Sequence, residues 1–392
     1  MHNADFTWSG RVSEERLKPD KAEAITLVDR MLQAAAHQDV ALLARMYNSS
    51  AVAVSPVFGA VVGREAIVRS WEILFSTLRD IRVHVSDVLV DEKRVAIISE
   101  ISAVTDRDGW FGLPVKGATV EYRMLLLLTI VNGEIVRDER IYDAANLLKR
   151  LEAARVEEEL NRAAEVQRAL LPRTTYAGSI CRAVGASTPC RSVGGDFFEF
   201  IDLPSGGLGL AIADVAGKGP SAALLAALIQ GLLVSAANEE EAPAAVVSRV
   251  NERLASRSVQ SRFATLTYCV ASRDGQLSYC NAGHNPPILL SCRQTLRLEV
   301  GGPILGAFPG AIFRQGQLTI SPKDLLVMFT DGVIEAPDIG GAEFGDDRLI
   351  EAVLRGAASP HAALEHVISS VRAFCGGTEQ QDDLTIVAAE FL

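Results

Sequence analysis

Apolar positions change their period three times along this chain. From Glu23 to Gln38 and from Val40 to Tyr47 they recur every three to four residues, which predicts a helical hairpin. Four runs rich in Val, Ile and Leu follow, Ile81–Val90, Arg94–Thr105, Thr119–Val131 and Glu134–Tyr142, and read as strands. Asn132-Gly133 separates the last two and is a strong hairpin turn signal. From 143 to 170 the chain has no Gly or Pro and is dense in Ala, Leu, Glu and Arg, a helix by propensity. Leu147, Leu151 and Ala154 keep a 4-3 spacing, and so do Val156, Leu160 and Ala163. The two stripes are offset by a stutter, so they predict either an imperfect two-stranded coil or a connector packed on its own chain. Pro172 ends the helix.

Beyond residue 173 there are strand-like runs (207–214, 262–271, 276–281, 312–320, 324–330 and 383–390) and helix-like ones (221–237, 243–257, 348–355 and 361–374). Strands cluster and helices come in pairs, which predicts an α+β domain of antiparallel sheet covered by helices. The organisation expected is a polar tail over 1–19, a first domain over 20–142, a helical linker over 143–172 and a second domain over 173–392.

Composition narrows the function. A chain of 392 residues with 48% hydrophobic and 22% charged residues supports two cored domains. The net charge of −11 disfavours nucleic acid and anionic membranes as partners. The N-terminal stretch lacks a signal-peptide apolar core, and a cytoplasmic protein is expected. The most apolar run, AALLAALIQGLLVSAA from Ala222 to Ala237, is broken by Gln230 and reads as a buried helix. Six cysteines without a Cys-x-x-Cys pair read as small buried hydrophobes.

Candidate chemistry lies in carboxylates. Asp196 follows Gly194-Gly195, Asp214 ends GLGLAIAD, Asp331 ends LLVMFT, and Asp382 and Asp383 precede LTIVAAEF. An ionised carboxylate at the end of a buried strand is costly unless compensated. One such residue is ordinarily a turn former or cap. Several together, with Lys218 the sole cation in these motifs, point to a shared hard cation, Mg²⁺ or Mn²⁺. Two such ions sharing a carboxylate are a known device for attack on phosphorus.

VGGDFFEF, AIADVAGKGPSAALL, NAGHNPPILL, FTDGVIEA and QDDLTIV occur in that order, after QRALLP at 167–172. Together they resemble the SpoIIE/RsbU branch of the metal-dependent type 2C protein phosphatases. The resemblance covers about 165–392. It implies an α-β-β-α sandwich of two antiparallel sheets flanked by helices, with two Mn²⁺ or Mg²⁺ at the sheet edge. It implies Asp214 as the ligand bridging both ions, the carbonyl of Val215 completing one site, and Asp331 and Asp382 on the other. Asp196 would act directly or through water, and Asp383 would support or substitute for Asp382. Asp214 and Asp331 are thus the expected catalytic residues. The Arg and His that eukaryotic relatives use are missing; Ala216 and Gly217 stand where the His would fall. His284 in NAGHNPP is expected to organise a loop, and Lys218 to touch phosphate or shape a turn; its motif lacks the spacing of a P-loop. Asn251 is expected on an exposed helix face. The implied substrate is phosphoserine or phosphothreonine on a STAS-domain partner.

The segments AITLVDRMLQAAAHQDVALLARMYNSSAVAV, VVGREAIVRSWEIL and GATVEYRMLLLLTIVNGEIVRDERIYD resemble SnoaL-like members of the nuclear transport factor 2-like superfamily. That implies a cone-shaped α+β barrel with an apolar pocket and a sensory or dimerising role, hence a homodimer and an unknown ligand or partner. Trp71, Phe75, Trp110 and Phe111 are candidates to line the pocket or fill the core. His84, Asp87 and Asp106 form no recognisable constellation. A non-catalytic scaffold and a small-molecule enzyme in the first domain are the alternatives.

Overall fold

The computed structural model describes residues 6–8, 19–106, 116–170, 172–239, 242–256, 263–291 and 294–392. The chain divides into two compact units, Met1–Glu159 and Leu160–Leu392.

The first unit holds α1 (Pro19–Ala36), α2 (Val40–Ala44), α3 (Arg64–Thr77) and seven strands. The strands are β1 (Phe6–Trp8), β2 (Tyr47–Ser55), β3 (Gly59–Val62), β4 (Leu78–Asp91), β5 (Arg94–Thr105), β6 (Thr119–Val131) and β7 (Glu134–Ile141). They form one sheet in the order β1-β4-β5-β6-β7-β2-β3. Register shifts in the β4–β5, β6–β7 and β2–β7 pairings bend it, as bulges do. Its concave core joins Leu27, Met31, Leu43, Ile67, Val85, Ile97 and Leu128. The predicted turn is present: Asn132 and Gly133 both take positive φ, 52° and 74°, as a type I′ hairpin demands. The predicted second helix of the hairpin is shorter than its period suggested. It stops at Ala44, and Tyr47 instead opens β2, because its fully buried ring and hydroxyl are claimed by β7.

Helix α4 (Ala144–Leu170) contributes to both units. Leu147 and Leu151 are buried against Leu78, Ala103 and Val120, so this stripe packs on its own chain. Val156, Val166 and Leu170 are exposed.

The second unit is a four-layer sandwich. One sheet is built of β10 (Phe197–Asp202), β11 (Leu208–Val215), β12 (Ala264–Ala271), β13 (Gln276–Ala282), β16 (Gly301–Gly302) and β17 (Gly316–Thr319). The other holds β8 (Thr175–Ala177), β9 (Cys181–Thr188), β14 (Ile288–Ser291), β15 (Gln294–Arg297), β18 (Leu325–Phe329) and β19 (Leu384–Phe391). Helices α5 (Pro220–Glu239) and α6 (Pro243–Ala255) cover the first sheet; α8 (Gly345–Arg355) and α9 (Pro360–Cys375) cover the second, and a single turn, α7 (Asp331–Ile334), follows β18. The strand expected over 312–320 is only four residues long.

Strands buried on both faces are apolar throughout, and alternation assigns each residue to a layer. In β11, Leu208, Leu210 and Ile212 face the inter-sheet core while Ala211, Ala213 and Val215 face α5 and α6. Helix α5 is long and apolar enough to cross a membrane by composition, yet half of it is buried, with Ile229, Leu233 and Ala237 in the sandwich core. Cys181, Cys269 and Cys280 are buried as small apolar residues; Cys292 lies outside the described residues.

Candidate metal centre

Strand parity brings the acids together. Phe198 in β10, Ile212 in β11, Met328 in β18 and Val387 in β19 all face the core between the sheets. Asp196, Asp214, Thr330 and Asp383 lie an even number of residues from them, so period-2 alternation puts all four on that same side. Antiparallel pairing places the start of β10 beside the end of β11, and the end of β18 beside the start of β19. All four residues therefore meet at one end of the sandwich, where the hydrophobic filling stops. Asp331, the first residue of α7, and Asp382, in the loop before β19, sit one residue away.

Each carboxylate is held differently. Asp196 is 4% exposed and accepts a 2.7 Å hydrogen bond from the Thr330 hydroxyl. That hydroxyl accepts in turn from the Thr385 amide at 3.0 Å, so Thr330 links both strands to Asp196. Asp383 is 5% exposed, and both its oxygens are occupied by backbone amides, Cys190 at 2.8 Å and Gly195 at 2.7 Å. It anchors the loop ahead of Asp196. Asp382 is half-exposed and pairs with Lys218 Nζ at 2.8 Å, while Lys218 also donates to the Gln381 carbonyl. Asp214 and Asp331 are partly buried.

Electrostatics shows how closely they crowd. Burial first, and then the charges of Asp331 and Asp382, push Asp214 up to about 7. Burial and the Asp214 charge push Asp196 well above the ordinary carboxylate range, and burial with Asp382 raises Asp331. Five carboxylates thus face one cation, Lys218, among the described residues here. An oxygen-only donor set with this excess of negative charge suits one or two hard divalent ions. The carbonyl of Val215 is at the same place: a Cβ on Gly195 would come within 2.8 Å of it.

His284 is a structural tie. Its imidazole is 4% exposed and lies between the Thr265 hydroxyl (2.7 Å to Nδ1) and the Phe329 carbonyl (3.1 Å to Nε2). A carbonyl can only accept, so Nε2 carries the proton and Nδ1 accepts from Thr265. Burial pushes its pKa down to about 4, keeping it neutral. Asn281 fixes its backbone through bonds to His284 N and O, at 2.7 and 2.9 Å. Thr265 pairs with Asp214 across β11–β12, and Phe329 precedes Thr330-Asp331. One neutral ring therefore spans both halves of the centre. Asn251, expected on an exposed face, is 1% exposed. Its amide bonds Phe308 O at 3.1 Å and Gly306 N at 2.9 Å, satisfying a loop that the helix covers.

The functional residues that sequence reasoning passed over are Thr330, Thr265 and Gln167. The first lies inside FTDGVIEA and the last opens QRALLP, but nothing in either string marks the hydrogen bonds they make. Beside the acids is a cavity of about 410 Å³ lined by Lys218, Glu335, Pro337, Ile368, Arg372 and Asp382, among others.

In the first unit, a small cavity of about 90 Å³ is lined by Trp71, Phe75, Tyr122, Tyr142, Met124 and Arg140, among others. Arg140 forms a two-pronged pair with buried Asp138 at 2.9 and 3.1 Å and lies 4.3 Å over the Trp71 ring. Tyr47 donates to the same carboxylate at 2.6 Å. His84, Asp87 and Asp106 are exposed and do not converge, and Asp106 lies 3.6 Å from Arg79. Trp110 and Phe111 lie outside the described residues.

Comparison with known proteins agrees with this architecture. Residues 204–392 match the family model of stage II sporulation protein E (SpoIIE), a span that contains Asp214, Asp331 and Asp382. Residues 28–138 match the SnoaL-like domain model. The chain thus carries a SpoIIE domain, of the kind found in metal-dependent protein phosphatases, and a SnoaL-like domain. The SpoIIE domain here is 30% identical over 184 residues to phosphoserine phosphatase RsbU of Bacillus subtilis, covering 46% of this chain and 54% of that protein. Protein IcfG of Synechocystis is 27% identical over 259 residues, covering 59% of this chain and 41% of that protein. The chain thus spans about half the length of the curated relatives it matches. The solved SiaA-PP2C domain of Pseudomonas aeruginosa superposes with a TM-score of 0.54 at 19% identity, covering 62% of this chain and 99% of that one, which shows a shared fold.

Proposed function

We propose that this protein is a metal-dependent phosphatase acting on phosphoserine or phosphothreonine of a protein partner, under the control of its SnoaL-like domain. The observation that carries this is the convergence of Asp196, Asp214, Asp331 and Asp382 at one sandwich edge with a single lysine among them. Asp214, which feels the charges of Asp331 and Asp382, would hold two Mn²⁺ or Mg²⁺ as their shared ligand, together with the Val215 carbonyl, Asp331 and Asp382. Asp196 acts from behind, oriented by Thr330. Bound there, the ions neutralise phosphate charge and supply an activated water.

The remaining work falls to the chain itself. Gly217, exposed and with open space around it, leaves the edge uncovered for a bulky protein substrate. Lys218, paired here with Asp382, would be placed to meet a phosphate oxygen once Asp382 held a cation. The cavity lined by Pro337 and Ile368 takes the side chains flanking the phosphoresidue. One water is consumed: its oxygen bonds to phosphorus, the phosphorus–serine oxygen bond breaks, and the serine oxygen takes up a proton.

The kinship with a phosphoserine phosphatase of the RsbU type supports a STAS-domain protein as the substrate. In the SnoaL-like domain, the cavity with Arg140 on its wall suits a small apolar molecule bearing an acceptor oxygen. Exposed Val156, Ala163, Val166 and Leu170 keep 7-3-4 spacing on α4, which supports a paired helix in a homodimer. The test is Mn²⁺-dependent phosphate release from a phosphorylated STAS-domain protein. Release should vanish in Asp214→Asn and Asp331→Asn; retained activity in both would refute the mechanism.

A further inference from the structure

The cavity of about 90 Å³ in the first unit has a polar end built from hydrogen-bond donors. Met31, Trp71 and Met124 supply apolar wall, while Arg140, Tyr122, Tyr142 and Ser99 bring N–H and O–H groups to it. No carboxylate lines the cavity among the described residues.

Arg140 is 11% exposed, and its charge is cancelled within the fold. Asp138, 1% exposed, accepts from its Nε at 3.1 Å and from its Nη2 at 2.9 Å. Tyr47 donates to the same carboxylate at 2.6 Å, which fixes Asp138 where it is. That pairing uses two of the five N–H groups of a guanidinium, so it does not exhaust Arg140 as a donor. The Tyr122 and Tyr142 rings lie 5.0 Å apart. Burial pushes both phenols up against the opposing pull of the Arg140 charge, so both hydroxyls keep their protons. Neither hydroxyl bonds another described residue. Ser99 is 1% exposed, and its hydroxyl reaches the Met124 carbonyl only at 3.5 Å, the outer limit of a hydrogen bond. Buried donors without acceptors are costly, and an occupant that accepts from them relieves that cost.

The occupant's charge follows from the Arg140–Asp138 pair. A carboxylate would leave water for a chamber whose only cation is already neutralised, so nothing would replace its hydration. A carbonyl oxygen gives up far less water and meets several donors. The volume equals about three waters at ~30 Å³ each and is below the ~150 Å³ of a cavity that holds benzene, so about four or five heavy atoms fit.

We propose that the SnoaL-like domain binds a small uncharged carbonyl compound, its oxygen on Arg140 and the Tyr122 and Tyr142 hydroxyls and its carbon chain against Trp71 and the two methionines, and that it rejects the matching carboxylate. This rests on the reading of the cavity as the ligand site of that domain and adds the charge and functional group of the ligand.

The experiment uses the full chain with ¹³C-labelled methionine methyls, which set reporters on the cavity wall at Met31 and Met124. The probes are butanone and propanoate at pH 8, equal in heavy atoms and differing by a methyl group against a charged oxygen. Butanone should shift both resonances saturably, with a dissociation constant of roughly a few millimolar. Propanoate should bind at least about tenfold more weakly. Tyr122→Phe and Tyr142→Phe keep the rings and should each weaken butanone about fivefold; should one fail to fold, the other carries the comparison. Propanoate binding as tightly as butanone, or phenylalanine variants at wild-type affinity, would overturn the proposal. So would methionine resonances unmoved by ~100 mM butanone, a concentration far above millimolar affinity. Phosphate release from a phosphorylated STAS-domain protein, with and without butanone, judges the sensory role separately. Butanone bound with release unchanged would sink control of the phosphatase by this domain and leave the ligand class standing.

Discussion

Replacing Asp214 by Asn should stabilise the metal-free protein while abolishing its response to metal. The side chain keeps its shape but loses the charge at the middle of the cluster. A carboxyl held at about 7 instead of 3.8 represents ~4 kcal/mol of unfavourable interaction above pH 7, at about 1.36 kcal/mol per unit. Neighbouring acids share that repulsion, and an amide keeps part of the burial cost, so the expected gain is ~2 kcal/mol at pH 8. For a unit of this size that is a rise of roughly 4–8 °C in melting temperature. The pH dependence has a definite sign. The folded pKa lies above the unfolded one, so the native state holds the extra proton between them. The contribution of Asp214 to wild-type stability is therefore greatest below about pH 4 and is lost as pH rises through 7, so the gain in Asp214→Asn over wild type grows across this window. The assay is thermal denaturation of the full chain in EDTA at pH 4.5 and 8, repeated with Mn²⁺. At one hundred times its dissociation constant, Mn²⁺ should add ~2.7 kcal/mol to the wild type and little to the variant. A variant no more stable than wild type at pH 8 in EDTA would refute the idea that these acids repel one another.

Three further outcomes are expected. His284→Ala leaves the Phe329 carbonyl and the Thr265 hydroxyl unpaired and should cost ~3 kcal/mol. Because only the unfolded chain takes up a proton at this position between pH 6.5 and about 4, the contribution of His284 should shrink across that range, so the gap in denaturant midpoint between wild type and variant should be smaller at pH 4.5 than at pH 7. Gly194→Ala forces a methyl against the Asp383 carboxylate, and a loss of ~2–3 kcal/mol in the melt should accompany weakened Mn²⁺ binding. Tyr47→Phe removes the bond to buried Asp138 and should lower the melting of the SnoaL-like domain by ~1–2 kcal/mol, with the SpoIIE domain unmoved.

Much of this architecture was legible because strands buried on both faces must be apolar end to end. GLGLAIAD, LLVMFT and LTIVAAEF stand out for that reason, and each marks its carboxylate by the abrupt end of the apolar run. The Asn132-Gly133 turn was equally plain, since few residue pairs accept positive φ twice. What the sequence concealed was polar wiring. Tyr47 carries helical spacing yet opens a strand, because its partner Asp138 lies 91 positions away. Asn251 has the look of a surface residue until the loop at 306–308 folds over it. Asp383, beside Asp382, differs from it in role only because the fold delivers two backbone amides to its oxygens. Thr330, Thr265 and Gln167 act through hydrogen bonds to residues on other elements, and no local period encodes such pairings.

The central claim is that these acids converge to hold divalent cations. Crystals of the full chain grown with Mn²⁺ and measured at the manganese absorption edge test it most directly. The account predicts anomalous peaks at the sandwich edge, within coordination distance of Asp214 and Asp331 oxygens. A well-ordered edge with saturating Mn²⁺ present and no peak among Asp196, Asp214, Asp331 and Asp382 would contradict it.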